Sequence, residues 1–247
     1  MTTFYKMVIH LVAKENATMA TSAKGMGEQP LALRLLLACG AIGPLLFIVV
    51  FLIEGATRAD YNPLRYPVSS LSIGDLGWIQ AANFLMVGLL LFAFALGLRR
   101  ALRASRGVAW GPLLIGLAGI GLFGAGIFTT DPIYGYPPGA PLVLAQYSVH
   151  GHLHDLFSIL VFFGLPAACF VFCRRFATLG ERGWAVYSIL TGLGMLVTFV
   201  LAGIGFTQNP SLVNFAGVFQ RLSIIIGFSW IALLAFRLMS KKSPIGR

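Results

Sequence analysis

Three of the four histidines of this chain lie within residues 147–158, a stretch that reads YSVHGHLHDLFS and leads into a long apolar segment. On a helix, His150, His154 and Ser158 follow one another at intervals of four residues and therefore share one face. Two histidines at this spacing can hold a zinc ion when a carboxylate such as Asp131 or Asp155 joins them and one position stays open for water. The candidate metal ligands are therefore His150, His154 and Asp155. The alternative is that the histidines form hydrogen bonds to neighbouring helices or to interfacial water.

A second kind of chemistry needs a nucleophile near a histidine and an acid. Ser70 lies in a polar loop before the second apolar segment, and Asp131 follows the third apolar segment. Ionisable groups at membrane depth are costly to bury, so a cluster of them marks a functional site. His154, Asp131 and Ser70 are therefore the candidate catalytic residues of a hydrolytic site.

The segments that must position these residues are those of a membrane protein. Of the 247 residues, 57% are hydrophobic and only 11% are charged. A soluble domain of this length needs far more charge to cover its surface. Six apolar segments have the length of about 20 residues that a hydrocarbon core requires. They are approximately 35–53, 78–98, 110–129, 153–173, 184–206 and 218–236.

Lipid offers the backbone no hydrogen-bond partners, so each segment is predicted to be a helix. The predicted fold is an all-α, polytopic six-helix transmembrane bundle that occupies residues 31–240. Residues 1–30 are expected to form a cytoplasmic segment, either poorly ordered or an interfacial helix, and residues 241–247 a basic cytoplasmic tail. The three cysteines lie in apolar segments without disulfide or metal spacing, which indicates small core residues.

The distribution of charge indicates the orientation of the bundle. Fifteen of the 18 basic residues lie in the terminal segments and in the loops after the second and fourth helices, whereas Arg58, Arg65 and Arg221 lie on the other side. Basic loops stay in the cytoplasm, so both termini are predicted to be cytoplasmic. Topology and contact with anionic lipid then account for the formal net charge of +10, and no nucleic acid partner is expected.

Short matches between the segments indicate three helical hairpins of common design. Each odd-numbered helix leads into a loop with an Asn-Pro or Asp-Pro pair, a turn signal that also ends helices. Each even-numbered helix begins with Gly followed three residues later by Gln80, His154 or Gln220. These side chains, with Asn83, Ser158 and Ser223 about one turn further along their helices, are predicted to face a shared polar pocket on the non-cytoplasmic side. Since Gln is a poor zinc ligand, zinc is possible but not favoured, and the cofactor stays unknown.

Arg221 lies about one turn inside the non-cytoplasmic boundary, where an unpaired guanidinium is unfavourable. It is predicted either to extend its guanidinium outward to the interface or to pair with Asp155, Asp131 or Asp75. The functional alternative is that it binds a lipid phosphate or carboxylate through its planar fork of donors. The candidate residues for binding substrate or lipid are Arg221, Gln80, Gln220 and Asn83.

Two local features are predicted to shape the helices without a chemical role. Ser72 followed by Asp75, ahead of the second apolar segment, resembles a capping box. Pro44 and Pro166 are expected to kink the first and fourth helices, since proline removes a backbone donor.

Residues 62–74 read NPLRYPVSSLSIG, residues 128–132 read FTTDP, and the fourth helix opens with histidines. These motifs resemble the bacterial and archaeal membrane proteins grouped as domain of unknown function 998, over roughly residues 35–240. The resemblance implies six helices in a prokaryotic inner membrane and brings no established activity. The family is more distantly similar to the DRAM and Sfk-type eukaryotic membrane proteins, which are linked to lipid organisation and autophagy.

The use of Ser, Asp and His is also similar to that of the metal-dependent membrane lipid hydrolases that include alkaline ceramidases. Those hydrolases are expected to have seven helices and a late His-x-x-x-His on the last one. This chain has Gln220 and Arg221 on its last helix instead, which counts against a common mechanism.

Three functions follow as hypotheses. The first is a lipid-interacting or accessory membrane protein whose pocket binds a head group. The second is an intramembrane lipid hydrolase that depends on a metal and uses the histidines, the acids and Ser70. The third is a small transporter, which ranks last because the middle of every span is apolar. The expected partner is membrane lipid, and the sequence does not indicate an oligomeric state.

Overall fold

The computed structural model describes residues 29–102, 109–142 and 145–240. Most of the N-terminal segment predicted at 1–30, and the basic tail 241–247, lie outside these ranges. The described residues form seven α-helices and two short 3₁₀ helices. The α-helices are α1 Leu31–Thr57, α2 Gly77–Ala101, α3 Trp110–Ile127, α4 Val149–Phe162, α5 Gly164–Thr178, α6 Arg182–Phe206 and α7 Ala216–Ser240. The 3₁₀ helices are Val68–Ser72 and Val213–Phe215.

The helices confirm the predicted all-α fold with six spans that are long and apolar enough to cross a membrane. Spans one, two, three, five and six are α1, α2, α3, α6 and α7, and span four consists of α4 followed by α5. Most spans extend a few residues beyond the predicted bounds. Span three instead stops at Ile127, because Phe128 adopts an extended conformation that ends the helix.

Span four is interrupted at Phe163, between α4 and α5. Pro166 has no backbone N–H and therefore cannot donate to the carbonyl of Phe162, four residues earlier. The predicted distortion of this span at Pro166 is thus present as a break in the helix. Pro44, by contrast, lies inside α1 without interrupting it.

The six spans form a closed ring in chain order. Each span packs against the span before and the span after it, and α1 packs against α7 to close the ring. One seam of the ring is uneven, since α5 packs closely on α6 whereas α4 has little contact with α6. The ring is therefore loosely closed between the first half of span four and span five.

The predicted capping box at the start of span two is wrong. The residue that precedes α2 is Leu76, and no side chain caps this helix. The Ser72 hydroxyl donates instead to the carbonyl of Ser69, at 2.7 Å, because Ser72 belongs to the 3₁₀ helix of the first loop. Gly74, with φ of 82°, then turns the chain between the two helices.

The glycines that begin the even-numbered spans share a structural role. A Cβ added at Gly77, Gly151 or Gly217 would lie 2.2, 2.1 or 2.6 Å from an atom of a neighbouring loop. Real Cβ atoms do not approach other atoms so closely, so each glycine allows a loop to pack on the start of its helix. This shared packing supports the common design that the sequence predicts for the three hairpins.

Spans two and three cross at a pair of glycines. A Cβ at Gly88 would lie 2.7 Å from the carbonyl oxygen of Gly119, and a Cβ at Gly119 would lie 2.8 Å from that of Gly88. Small residues at helix crossings allow close backbone packing in membranes, where no hydrophobic force drives helices together. The crossing holds spans two and three at a separation that only glycine permits.

We expect Gly88→Ala to destabilise the bundle by about 1–3 kcal/mol, the usual cost of overpacking, because the obstructing atoms are backbone and cannot move aside. Gly203→Ala is the matched control, since nothing lies within 4 Å of a Cβ at that position in α6. Thermal unfolding of both variants in detergent measures the effect. A Gly88→Ala variant as stable as the Gly203→Ala control would contradict the close crossing.

Candidate functional site

Residues 58–76, 128–148 and 207–215 connect spans at one end of the bundle, which we call the loop end. A cavity of about 450 Å³ lies there, lined by residues of the loops and of every α-helix except α5. We call it the loop-end cavity. Its polar lining residues are Ser69, Thr130, Asp131, Tyr134, Tyr147, His154, Asp155, Ser158, Thr207 and Gln220. Its phenylalanines are Phe47, Phe84, Phe162, Phe199, Phe206 and Phe228.

The polarity of the cavity changes with depth. Apart from Ser158, in the third turn of α4, the polar lining residues come from the loops and from the helical turns nearest to them. Phenylalanines such as Phe47, Phe162 and Phe228 lie several turns further from the loop end. The loop-end cavity therefore has a polar mouth and an aromatic floor.

The cavity borders the uneven seam of the ring, because residues of both α4 and α6 line it. Phe162 of α4 stacks on Phe199 of α6 with ring centroids 4.2 Å apart, which closes the seam at mid-depth. Nearer the loop end, Asp155 and Ile159 line the cavity and are exposed. The wall of the cavity is therefore least closely packed between α4 and α6.

His154 is the most deeply buried of the predicted chemical residues that line the cavity, with 3% of its surface exposed. Its Nδ1 lies 3.1 Å from the carbonyl oxygen of Ala125 and 2.8 Å from that of Phe128. Carbonyl oxygens only accept hydrogen bonds, so Nδ1 carries the proton. In the neutral ring, Nε2 is then an acceptor.

Asp131 anchors the start of span four. Its Oδ2 accepts a hydrogen bond from the backbone N–H of Ser148 at 2.8 Å, and the Ser148 hydroxyl accepts from the backbone N–H of Gly151 at 2.9 Å. A carboxylate is favoured at this position because the first N–H groups of a helix have no partners within it. Asp131 thus has a structural role in addition to its place in the cavity wall.

Gln220 also lines the cavity, and 9% of its surface is exposed. Its Oε1 accepts a hydrogen bond from the backbone N–H of Val68 at 2.8 Å, which ties span six to the first loop. Since this bond fixes the orientation of the amide, the Nε2 of Gln220 remains as a donor.

Gln80 and Asn83 are buried but do not line the cavity. The Asn83 Nδ2 group donates to Gln80 Oε1 at 3.2 Å and to the carbonyl of Phe47 at 3.3 Å. The Phe84 ring lies edge-on to the ring of His154, with centroids 5.9 Å apart, so the wall on this side is aromatic. Of the residues predicted to share a pocket, His154, Gln220 and Ser158 line the cavity, whereas Gln80, Asn83 and Ser223 do not.

Ser70 is fully buried and does not line the cavity, whereas its neighbour Ser69 does. The structure therefore brings His154 and Asp131 to one cavity and leaves the predicted nucleophile Ser70 outside it.

The predicted zinc ligands are also divided. His150 is exposed and lies edge-on to the ring of Phe128 at 5.6 Å, while His154 is buried and uses its Nδ1 for backbone carbonyls. Asp155 lines the cavity and is close enough to His154 to interact with it electrostatically. Within the described ranges, no three His, Cys, Asp or Glu side chains are placed to hold a metal ion.

Arg221 is buried but does not line the cavity. Its Nη1 donates to the carbonyls of Tyr66 and Gly217 at 2.9 and 3.0 Å, and its Nη2 donates to the Tyr61 hydroxyl. The guanidinium also lies over the rings of Phe51 and Tyr61. The predicted pairing of Arg221 with an aspartate is therefore wrong, because carbonyls, a hydroxyl and aromatic faces satisfy its donors.

The Tyr61 hydroxyl is part of the same network and donates to the carbonyl of Pro67 at 2.9 Å. Burial raises the pKa of Tyr61 to about 12, although the positive charge of Arg221 acts in the opposite direction. Tyr61 therefore stays neutral and joins the first loop to span six through Arg221.

Five polar lining residues were not among the site residues predicted from the sequence. They are Ser69, Thr130, Tyr134, Tyr147 and Thr207. The preference of tyrosine for membrane interfaces is a signal that identifies Tyr134 and Tyr147. The hydroxyl residues have no such signal, because their place in the wall depends on how the loops fold over the spans.

Comparison with known proteins gives one family match. The model of the family described as "Protein of unknown function (DUF998)" matches residues 41–237, from within the first span to the last turn of the sixth. No curated protein and no solved structure matches the chain.

We expect Arg221→Lys to destabilise the protein by about 2 kcal/mol, because hydrogen bonds to charged groups contribute about 1.5–3 kcal/mol each and an ammonium cannot reach the same acceptors. Arg99→Lys is the control, since Arg99 is exposed at the opposite end of α2. Thermal unfolding in detergent compares the two variants. Equal stability of both would show that the Arg221 network does not hold the loop end together.

The raised pKa of Tyr61 predicts a loss of stability at alkaline pH. An unfolded tyrosine ionises near pH 10, so the unfolded state gains charge first and stability falls as the pH rises from about 10 through about 12. Tyrosinate absorbance followed during an alkaline titration measures this transition. Tyr61→Phe is expected to remove the rise in tyrosinate absorbance that occurs at the highest pH. Tyr147→Phe, which changes an exposed tyrosine, is expected to leave that rise in place.

Proposed function

The chain belongs to the DUF998 family, and we propose that it is a lipid-interacting protein that binds one amphiphilic molecule in the loop-end cavity. The head of the ligand lies at the polar mouth, and its chain lies along the aromatic floor. In this proposal both termini are in the cytoplasm of a prokaryotic cell, and the cavity opens on the other side of the inner membrane. The basic residues at the opposite end of the bundle support this orientation.

One observation carries the proposal, namely that the cavity is polar at the loop end, aromatic at depth and loosely closed between α4 and α6. A lipid in the surrounding leaflet changes from polar to apolar in the same direction, from its head group to its chain. The volume of about 450 Å³ falls in the range of small-molecule sites, about 300–1,000 Å³. A chain can enter through the seam without leaving the hydrocarbon region.

The same geometry favours binding over hydrolysis. The candidate nucleophile Ser70 does not line the cavity, and His150 packs on Phe128. Asp131 is engaged at the start of α4, where its carboxylate stabilises the helix. Among the described lining residues, the polar groups are therefore arranged to hold a head group.

A side chain that fills the cavity tests the proposal. Ser158 lines the cavity on α4, so Ser158→Phe is expected to displace the chain of the ligand. Leu156→Phe is the matched control, because Leu156 lies on the same helix, is 59% exposed and does not line the cavity. Each protein is incubated in detergent with a total lipid extract of the expression host, and the retained lipid is quantified by mass spectrometry.

We expect the wild type and Leu156→Phe to retain about one lipid per chain. Ser158→Phe is expected to retain at least about tenfold less lipid, and a tenfold loss corresponds to roughly 1.4 kcal/mol of binding free energy. Retention that is the same in all three proteins would mean that the lipid binds to the outer surface of the bundle. That result would overturn the proposal.

A further inference from the structure

Two nearly buried side chains in the wall of the loop-end cavity have free hydrogen-bonding atoms. His154 is 3% exposed and Gln220 is 9% exposed, and both line the cavity. Each is fixed by its other polar atom, since His154 Nδ1 bonds to carbonyls of span three and Gln220 Oε1 bonds to the N–H of Val68. No described residue bonds to the Nε2 atom of either side chain. Neither Nε2 atom is among the described side-chain atoms that are fully buried without a partner, so both reach the open space of the cavity, where a ligand can bond to them.

The free atoms define what the ligand must offer. The neutral ring of His154 presents an acceptor at Nε2, which requires an N–H or O–H donor on the head group. Asp131 and Asp155 lie in the same wall and are close enough to interact with each other electrostatically. Carboxylates accept hydrogen bonds and attract positive charge. The polar mouth therefore favours a donor that carries a positive charge.

No Lys or Arg lies among the described residues that line the cavity. The three arginines near the loop end are all engaged elsewhere. Arg58 pairs with Glu54 at 2.9 Å, Arg65 donates to Gln208 at 3.0 Å, and Arg221 bonds to carbonyls and Tyr61. A phosphate or carboxylate head would therefore enter a site that holds two carboxylates and no cation to neutralise it.

We propose that the amphiphile bound in the loop-end cavity carries a protonated primary amine as its head group. This inference depends on the proposed function and adds the chemical class of the ligand. The ammonium group has three donors, which match the acceptor of His154 and the carboxylates of Asp131 and Asp155. Gln220 contributes a donor to any hydroxyl or carbonyl oxygen next to the amine.

Three probes with the same twelve-carbon chain separate the contributions of the head group. Dodecylamine offers positive charge and N–H donors, dodecyltrimethylammonium offers charge without donors, and dodecyl phosphate offers negative charge. Affinities are measured by native mass spectrometry of the full chain in a neutral detergent. We expect dodecylamine to bind at least about tenfold more tightly than either of the other probes.

Two variants with matched chemistry test the role of the carboxylate. Asp155→Asn removes the charge of an exposed residue in the cavity wall and is not expected to disturb folding. Asp75→Asn removes the charge of an exposed aspartate in the first loop that does not line the cavity. Asp155→Asn is expected to reduce the preference for dodecylamine over dodecyl phosphate by about tenfold, and Asp75→Asn to leave it unchanged.

The outcomes distinguish the two levels of the proposal. If dodecyl phosphate binds as tightly as dodecylamine, or if Asp155→Asn leaves the preference unchanged, the proposal of an amine head group is overturned. The proposed binding function still stands in that case, provided that Ser158→Phe abolishes binding of the probes. If no probe binds saturably to the wild type, or if Ser158→Phe binds all three as well as the wild type does, both the binding function and the head group are overturned.

Discussion

A polar group at membrane depth has no water to bond to, and this constraint organises the loop end of the bundle. Arg221 is satisfied by backbone carbonyls and a tyrosine, and Asp131 by the N–H groups at the start of α4. His154 and Gln220 are each fixed on one side and free on the other. Because both free sides belong to one cavity wall, hydrogen-bonding capacity is left where a ligand can use it.

Much of this architecture can be predicted from the sequence. The spans follow from apolar segments of sufficient length, since a chain in lipid can satisfy its backbone only as helices. The glycines that begin the even-numbered spans mark the hairpin design, and the structure gives them a reason, because each lies against a loop that a Cβ would obstruct. The break in span four follows from Pro166, which lacks a donor at the position where α4 would otherwise continue.

The sequence was less informative about loops, because their backbone carbonyls compete with side chains for every donor. Arg221 was expected to need an aspartate, but the carbonyl of Tyr66 and the hydroxyl of Tyr61 serve instead. Ser72 was expected to cap α2, but it belongs to a 3₁₀ helix that the composition of the loop does not reveal. Gln80 was expected in the shared pocket, but it bonds to Asn83.

The central claim is that the cavity between α4 and α6 holds an amphiphile with its head toward His154 and Gln220. An experimental structure determined in native-like lipid tests this most directly. The account predicts one elongated density that begins beside these two residues, runs along the aromatic floor of the cavity and reaches the seam between α4 and α6. A seam closed by direct packing of α4 on α6, with only isolated waters inside, would contradict it.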